Sequence, residues 1–206
     1  MDPNFLVTAF VALFVVIDPI GLAPLFVALT TGLSVAQRRR IALQATLVAT
    51  GILFVFSIFG DTLLTFIGIS LPAFQIAGGI LLFLTALDML FERRQKRREG
   101  QADEDDPDDD PSVFPMAIPL IAGPGSIATM ILLVGQTKST IEFFAILGVL
   151  LAVLLLVLVM CLSAPWIERL LGKTGINVVT RLLGMLLAAL SVQFVIDGIQ
   201  GSGFGG

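Results

Sequence analysis

The sequence predicts an all-α membrane protein with six transmembrane helices. Three observations carry this prediction: 56% of the residues are hydrophobic, the mean hydropathy is +0.99, and only 14% of the residues are charged. A soluble domain of 206 residues needs a charged surface that this composition cannot supply. Each long apolar run, by contrast, is able to cross a hydrocarbon core of about 30 Å.

Six apolar runs of about 20 or more residues define the predicted spans. They are roughly 4–30, 41–66, 72–91, 113–135, 141–165 and 178–199. The first run follows Met1-Asp-Pro-Asn, which lacks the basic region of a cleavable signal peptide. We therefore expect the first run to be retained as a membrane helix.

The first and fourth spans each contain two prolines five residues apart, in Pro19-Ile-Gly-Leu-Ala-Pro24 and in Pro119-Leu-Ile-Ala-Gly-Pro124. Proline lacks a backbone donor and clashes with the preceding turn, so neither segment can form an undisturbed helix. The freed backbone groups need partners in the protein or on a ligand, because lipid offers none. Discontinuous helices in both halves of a chain are typical of binding sites in secondary transporters.

The basic residues predict the orientation of the chain. Eleven of the twelve Lys and Arg residues lie in the connections after spans one, three and five, and only Lys138 lies on the other side. The positive-inside rule makes the first face cytoplasmic, so both termini are expected to be extracytoplasmic. Residues 92–112 pass from a basic to an acidic stretch and are expected to form a charged, disordered cytoplasmic loop, whose basic part could also contact anionic lipid.

An internal repeat divides the chain into a first three-helix repeat, residues 1–91, and a second, residues 113–206. Short matches recur at one offset: Gly79-Ile-Leu-Leu with Gly184-Met-Leu-Leu, Asp18-Pro19 with Gly123-Pro124, and Asp88 with Gln193. An odd number of crossings separates the two halves, so they must have opposite orientations. The predicted architecture is an inverted 3+3 repeat in which helices 1 and 4 are discontinuous.

In the fourth span, Gly123-Pro-Gly-Ser-Ile-Ala-Thr129 predicts a break followed by a new half-helix. Pro124 suits the first helical position, where its missing N–H costs nothing. The N–H groups of Gly125 and Ser126 would then point into the break and, with the helix dipole, favour a carboxylate. Gly123 permits close approach of backbone, and Ser126 and Thr129 can add hydroxyl donors. The alternative interpretation is a packing kink with a Ser or Thr cap.

In the first span, Asp18 immediately precedes the break at Pro19. An ionisable group at membrane depth is costly and is by default a functional hypothesis. Asp18 could pair with a substrate ammonium, coordinate a cation or carry a coupling proton, or it could only cap the following half-helix. Gly21 and Pro24 complete the local geometry. Gln193 is a further candidate substrate-binding residue because the repeat aligns it with Asp88.

The composition also excludes several classes of site. The chain has no His and one Cys, so a histidine-ligated haem is excluded, and a zinc site or a disulfide framework is not expected. No nucleotide-binding loop and no enzymatic constellation occurs in the sequence. We therefore expect no enzymatic activity, no cofactor and no nucleic-acid partner.

Four stretches resemble the MarC family of bacterial and archaeal inner-membrane proteins: Asp18-Pro-Ile-Gly, Phe74-Gln-Ile-Ala-Gly-Gly-Ile, Pro119-Leu-Ile-Ala-Gly-Pro-Gly-Ser-Ile-Ala and Val192-Gln-Phe-Val-Ile-Asp-Gly. The resemblance covers nearly the whole chain apart from the acidic segment, and Ala-Gly-Pro-Gly is its most specific part. It implies six membrane helices and, for some members, uptake of alanine, glycine or serine-like substrates coupled to an ion gradient.

The sequence thus leads us to expect a secondary transporter of small neutral amino acids in the bacterial inner membrane, coupled to protons or sodium. Small residues at the two breaks leave room for a substrate of alanine size. Two alternatives stay open. One is an exporter or channel for another small solute, and the other is a membrane scaffold that transports nothing. The oligomeric state is not predicted.

Overall fold

The computed structural model describes residues 3–91 and 111–203. In these two ranges every regular element is a helix, and no strand is present. The helices are α1 (Pro3–Ile17), α2 (Pro19–Leu29), α3 (Val35–Phe66), α4 (Leu71–Leu90), α5 (Pro124–Gly135), α6 (Thr140–Leu162) and α7 (Ala164–Gly201), and an irregular segment, Ser112–Ile121, precedes α5. Residues 92–110, which make up most of the charged loop predicted for residues 92–112, lie outside the described residues.

Within the described residues, five helical stretches are long and apolar enough to cross a membrane: Asn4–Leu29, Val35–Phe66, Leu71–Leu90, Thr140–Leu162 and Thr174–Gly201. The segment Ser112–Ile121 and α5 make a sixth if the bent pair is counted as one span. The predicted class, an all-helical multi-pass membrane protein, is confirmed. Large apolar side chains such as Leu47, which is 68% exposed, cover the outside of the bundle as lipid-facing residues do.

Two helices are longer than hydropathy alone predicts. α3 begins at Val35 because Ser34 and Gln37 form a capping box, in which each side chain accepts a hydrogen bond from the other residue's N–H. Arg38–Arg40 therefore lie in the first turns of α3 instead of in a loop. α7 begins at Ala164 and runs through the predicted connection, with a kink at Gly172, where φ is 61° and glycine carries no steric penalty.

Among the described residues, helices α4 and α7 form the most extensive helix pair. A Cβ atom added to Gly79 of α4 would lie 2.8 Å from the carbonyl oxygen of Ser191 in α7. A Cβ atom added to Gly184 of α7 would lie 3.3 Å from the carbonyl oxygen of Ala86 in α4. Small residues at such contacts let the backbones of two membrane helices approach each other closely.

Helices α3 and α6 form a second pair, which makes few contacts with α4 and α7. α3 packs against the segment Ser112–Ile121 and α5, and α6 packs against α1 and α2. On the other side, α4 packs against α5 and α7 packs against α2. The proline-interrupted segments therefore lie between the two helix pairs.

Candidate functional site

The first break is the residue Asp18, which separates α1 from α2. Its φ and ψ are 57° and 64°, in the left-handed region, and no other non-glycine residue in the described ranges has a positive φ. Asp tolerates this region better than most residues, and the right-handed helical region is unfavourable directly before a proline. Pro19 then occupies the first position of α2, where a missing N–H is tolerated.

The carboxyl group of Asp18 caps α2 from inside the protein. Its Oδ1 atom accepts a hydrogen bond from the N–H of Gly21 over 3.0 Å, and the residue is 1% exposed. A Cβ atom on Gly21 would overlap Oδ2 of Asp18, so this cap needs glycine at position 21. Pro24 follows within α2. The first break therefore places a buried carboxyl group between two half-helices.

The second break lies at Ala122 and Gly123, where the segment Ser112–Ile121 and α5 are bent by 53°. The segment is not a regular helix, because Phe114 and Ile118 have extended backbone angles, as expected for residues that precede proline. Its turns are wide, and the N–H of Ala122 donates to the carbonyl of Ala117 over 2.8 Å. The sequence predicted the break near Pro119 and Pro124 but not the earlier interruption at Phe114.

Gly123 and Pro124 begin α5. A Cβ atom on Gly123 would overlap the carbonyl oxygen of Pro119, so the backbone folds back on itself here as only glycine allows. Among the described residues, none accepts a hydrogen bond from the backbone N–H of Gly125 or of Ser126. Both residues are buried. The start of α5 therefore presents two unpaired donors at the positive end of a helix dipole.

The two predicted hydroxyl donors satisfy backbone carbonyls in this structure. The Ser126 hydroxyl lies 2.8 Å from the carbonyl oxygen of Ile121 and 3.0 Å from that of Gly123. The Thr129 hydroxyl donates to the carbonyl of Gly125 over 2.8 Å. These side chains stabilise the break, and the donors left for a ligand are the N–H groups of the backbone.

The two breaks meet in the interior of the bundle. A Cβ atom on Gly125 would lie 3.2 Å from Cγ1 of Val16, which precedes Asp18 by two residues. The same position is 3.5 Å from Cδ2 of Leu82 and 3.9 Å from Oγ1 of Thr85, both in α4. The sequence did not reveal Val16, Leu82 and Thr85 as site residues, because no local motif marks a contact between distant helices.

Gln193 does not join this group. Its side chain lies on an exposed face of α7, and Nε2 donates to Oδ1 of Asp197 over 2.6 Å. α7 instead buries Ser191 and Phe194. No group of three or more His, Cys, Asp or Glu side chains that could hold a metal ion occurs in the described part of the chain.

Comparison with known proteins identifies the family. The family model described as "MarC family integral membrane protein" matches residues 3–202. The UPF0056 membrane protein MJ0972 of Methanocaldococcus jannaschii is 40% identical over 96% of this chain and 88% of its own length. The UPF0056 membrane proteins YhcE of Escherichia coli and YvbG of Bacillus subtilis are 36% and 35% identical, over 93% and 96% of this chain and 90% and 95% of their own lengths. No solved structure matches the chain significantly. The chain therefore belongs to the MarC family of integral membrane proteins.

Proposed function

We propose that this protein is a secondary transporter of small neutral amino acids, of the alanine, glycine and serine class, coupled to a proton or sodium gradient. The observation that carries the proposal is the convergence of two breaks of unlike chemistry. One contributes the buried carboxyl group of Asp18, and the other contributes the unpaired N–H groups of Gly125 and Ser126. The two breaks adjoin where α1 passes α5, since a Cβ atom on Gly125 would lie 3.2 Å from Cγ1 of Val16.

Unlike chemistry at the two breaks suits a zwitterion. A carboxylate is stabilised by free N–H groups at a helix N-terminus, and the α5 dipole adds to that attraction. A substrate ammonium or a coupling cation is stabilised by the carboxyl group of Asp18, an ionisable group at membrane depth. The buried side chains of Val16 and Leu82 border Gly125 and leave little space, which favours a small substrate side chain.

The packing of the helix pairs supports an inverted 3+3 repeat with helices 1 and 4 discontinuous. The contact of Gly79 with the Ser191 carbonyl and that of Gly184 with the Ala86 carbonyl are reciprocal, and one sequence offset relates all four residues. The contacts of α3 with Ser112–Ile121 and of α6 with α1 are reciprocal in the same way. In such a repeat, movement of one helix pair against the other alternates access to a site at the breaks.

The orientation rests on the distribution of basic residues. Eleven of the twelve Lys and Arg residues share one face, which is the cytoplasmic one by the positive-inside rule. The protein then resides in the inner membrane of a bacterial cell, and both of its termini lie outside the cytoplasm.

Uptake into proteoliposomes tests the proposal. Purified full-length protein is reconstituted, and accumulation of labelled alanine and glycine is measured with and without imposed proton and sodium gradients. We expect accumulation that depends on one of the two gradients. Equilibration without any gradient dependence would point to a channel. Absence of uptake by folded, inserted protein would contradict amino-acid transport and leave the export or scaffold alternatives.

A further inference from the structure

A cavity of ≈ 480 Å³ opens at the end of the bundle where α1 begins and where α5 connects to α6. It is lined by Phe5, Gln136, Lys138 and Glu142. Phe5 precedes Asp18 by thirteen residues, which corresponds to about 20 Å along a helix. Buried residues of α1, among them Leu13 and Ile17 at 0% exposure, separate the cavity from the breaks. The cavity is therefore distinct from the site proposed above.

Three of the four lining side chains carry polar groups that no described residue satisfies. Nε2 of Gln136 is buried and has no hydrogen-bond partner. Glu142 uses Oε2 to accept a hydrogen bond from the backbone N–H of Lys138 over 2.7 Å, and its other carboxylate oxygen accepts none. The ammonium group of Lys138 makes no ion pair within the described ranges. The cavity wall thus carries the exposed ammonium group of Lys138, the carboxylate of Glu142 and the side chain of Gln136, whose unpaired amide donor is buried.

A buried amide N–H without a partner costs the free energy of the lost hydrogen bond, and native structures leave few such groups. Gln136 would be satisfied by an acceptor, and Lys138 makes an anionic acceptor the most favourable one. Glu142, on the same wall, attracts a cation with N–H donors. A ligand that carries both groups would satisfy all three side chains together.

We propose that this cavity binds a small zwitterion whose anionic group contacts Gln136 and Lys138 and whose primary ammonium contacts Glu142. Two sources share this chemistry: a free amino acid, and the headgroup of phosphatidylethanolamine. The apolar side chains of Ile141 and Phe144, 72% and 64% exposed, lie beside Glu142 on α6 and would adjoin the acyl chains of a bound lipid. The assignment follows from the cavity itself and does not depend on transport.

Binding to the full-length protein tests the assignment in two arms. Labelled alanine is titrated against protein in phosphatidylcholine nanodiscs, and retention of phosphatidylethanolamine from mixed-lipid nanodiscs is measured by mass spectrometry. Gln136→Leu removes the amide donor, Lys138→Met the ammonium, and Glu142→Gln the charge while it keeps an acceptor for the Lys138 N–H. Asp61→Asn, an exposed carboxylate of α3 outside the cavity lining, is the matched control.

We expect Gln136→Leu and Glu142→Gln to weaken the binding of one ligand about tenfold or more, because each removes a hydrogen bond to a charged group. Asp61→Asn should leave it unchanged. Loss in the alanine arm identifies a free amino acid, and loss in the lipid arm identifies the headgroup. If folded variants bind both ligands as the wild type does, or if the wild type binds neither, the assignment is overturned. Uptake of alanine by the same variants separates the two proposals, since uptake can persist when cavity binding is lost and can be absent when it is retained.

Discussion

Oδ1 of Asp18 accepts a hydrogen bond from the backbone N–H of Gly21 over 3.0 Å, and Oδ2 of Asp18 fills the space where a side chain at Gly21 would begin. The two residues therefore act as one structural unit. The start of α2 is capped from within the protein, whereas the start of α5 has no side-chain cap. The second break thus leaves the N–H groups of Gly125 and Ser126 for a ligand.

Substitution of Asp18 separates its capping role from its charge. Asn caps helices about as well as Asp and tolerates a positive φ, so Asp18→Asn should change the free energy of unfolding by less than about 0.5 kcal/mol. Asp18→Ala removes the cap and places alanine at a positive φ, so it should cost roughly 2–3 kcal/mol. If the charge binds a cation or an ammonium, Asp18→Asn should lower uptake about tenfold or more. Thermal unfolding in detergent and proteoliposome uptake measure the two effects, and full uptake by Asp18→Asn would contradict the charge-dependent role.

Gly125 and Gly148 form a matched pair for testing the convergence of the breaks. A Cβ atom on Gly125 meets Val16 at 3.2 Å, whereas one on Gly148, in α6, meets nothing within 4 Å. Gly125→Val should therefore abolish uptake and cost about 1–3 kcal/mol, because a branched side chain overfills the space between the breaks. Gly148→Val should keep uptake and change stability by no more than about 0.5 kcal/mol. Normal uptake in a folded Gly125→Val protein would remove this site from consideration.

The hydroxyl groups at the second break should differ in their importance for stability. Ser126→Ala leaves the buried carbonyl of Ile121 without its hydroxyl donor and should cost about 1–3 kcal/mol. Thr129→Val should cost less than about 1 kcal/mol, because the Gly125 carbonyl lies inside α5, where the helix supplies its own donor. Thermal unfolding of both variants in the same detergent gives the comparison. Equal losses would mean that the Ser126 hydroxyl does not hold the break.

The close contact of α4 and α7 predicts opposite effects for two glycine-to-alanine substitutions. Gly79→Ala places a methyl group 2.8 Å from the Ser191 carbonyl and should destabilise the protein by about 1–3 kcal/mol. Gly51→Ala, on α3, meets nothing within 4 Å and should be neutral or stabilising by up to about 1 kcal/mol, since Ala is the better helix former. The melting temperatures of the two variants, each compared with the wild type, test this prediction. An unchanged melting temperature of Gly79→Ala would show that the helix pair tolerates separation.

Single cysteines test the proposed orientation. In a Cys161→Ala background, Lys138→Cys and Ser202→Cys should react with a membrane-impermeant maleimide added to intact cells, whereas Thr31→Cys should react only after lysis. All three positions are exposed in the structure, so protection by the protein does not explain a difference. Labelling of Thr31→Cys in intact cells, with protection of the other two, would reverse the orientation.

The positions of the helices could be predicted because membrane thickness sets the length of each apolar run and because proline interrupts a helix at its own position. The apolar runs predicted the spans, and Pro19 and Pro124 occupy the first positions of α2 and α5. The start of α3 was missed because hydropathy ignores the pairing of Ser34 with Gln37, although the Ser-x-x-Gln pattern could have revealed it. The helical course of α7 through Gly172 has no comparable signal in the sequence.

The candidate site was predictable only in its local part. Asp18, Gly21 and Gly123 can be recognised as candidates from the residues next to them in the sequence. Val16 meets Gly125 only because two helices fold together, and no pattern within either segment encodes that contact. The sequence likewise does not determine on which face of α7 Gln193 lies, since a polar residue in an apolar helix can point toward the bundle or away from it.

Under the proposed inverted repeat, the reciprocal contacts of Gly79 and Gly184 have an evolutionary consequence. A three-span ancestor that assembled in this way would need two copies of itself in opposite orientations, with the same residue at every equivalent position. Joining the halves into one chain fixes both orientations at once and frees equivalent positions to diverge. Asp18 and Gly123 occupy such a pair in the proposed repeat, so a fused chain can carry a carboxyl group in one half and a bare backbone in the other.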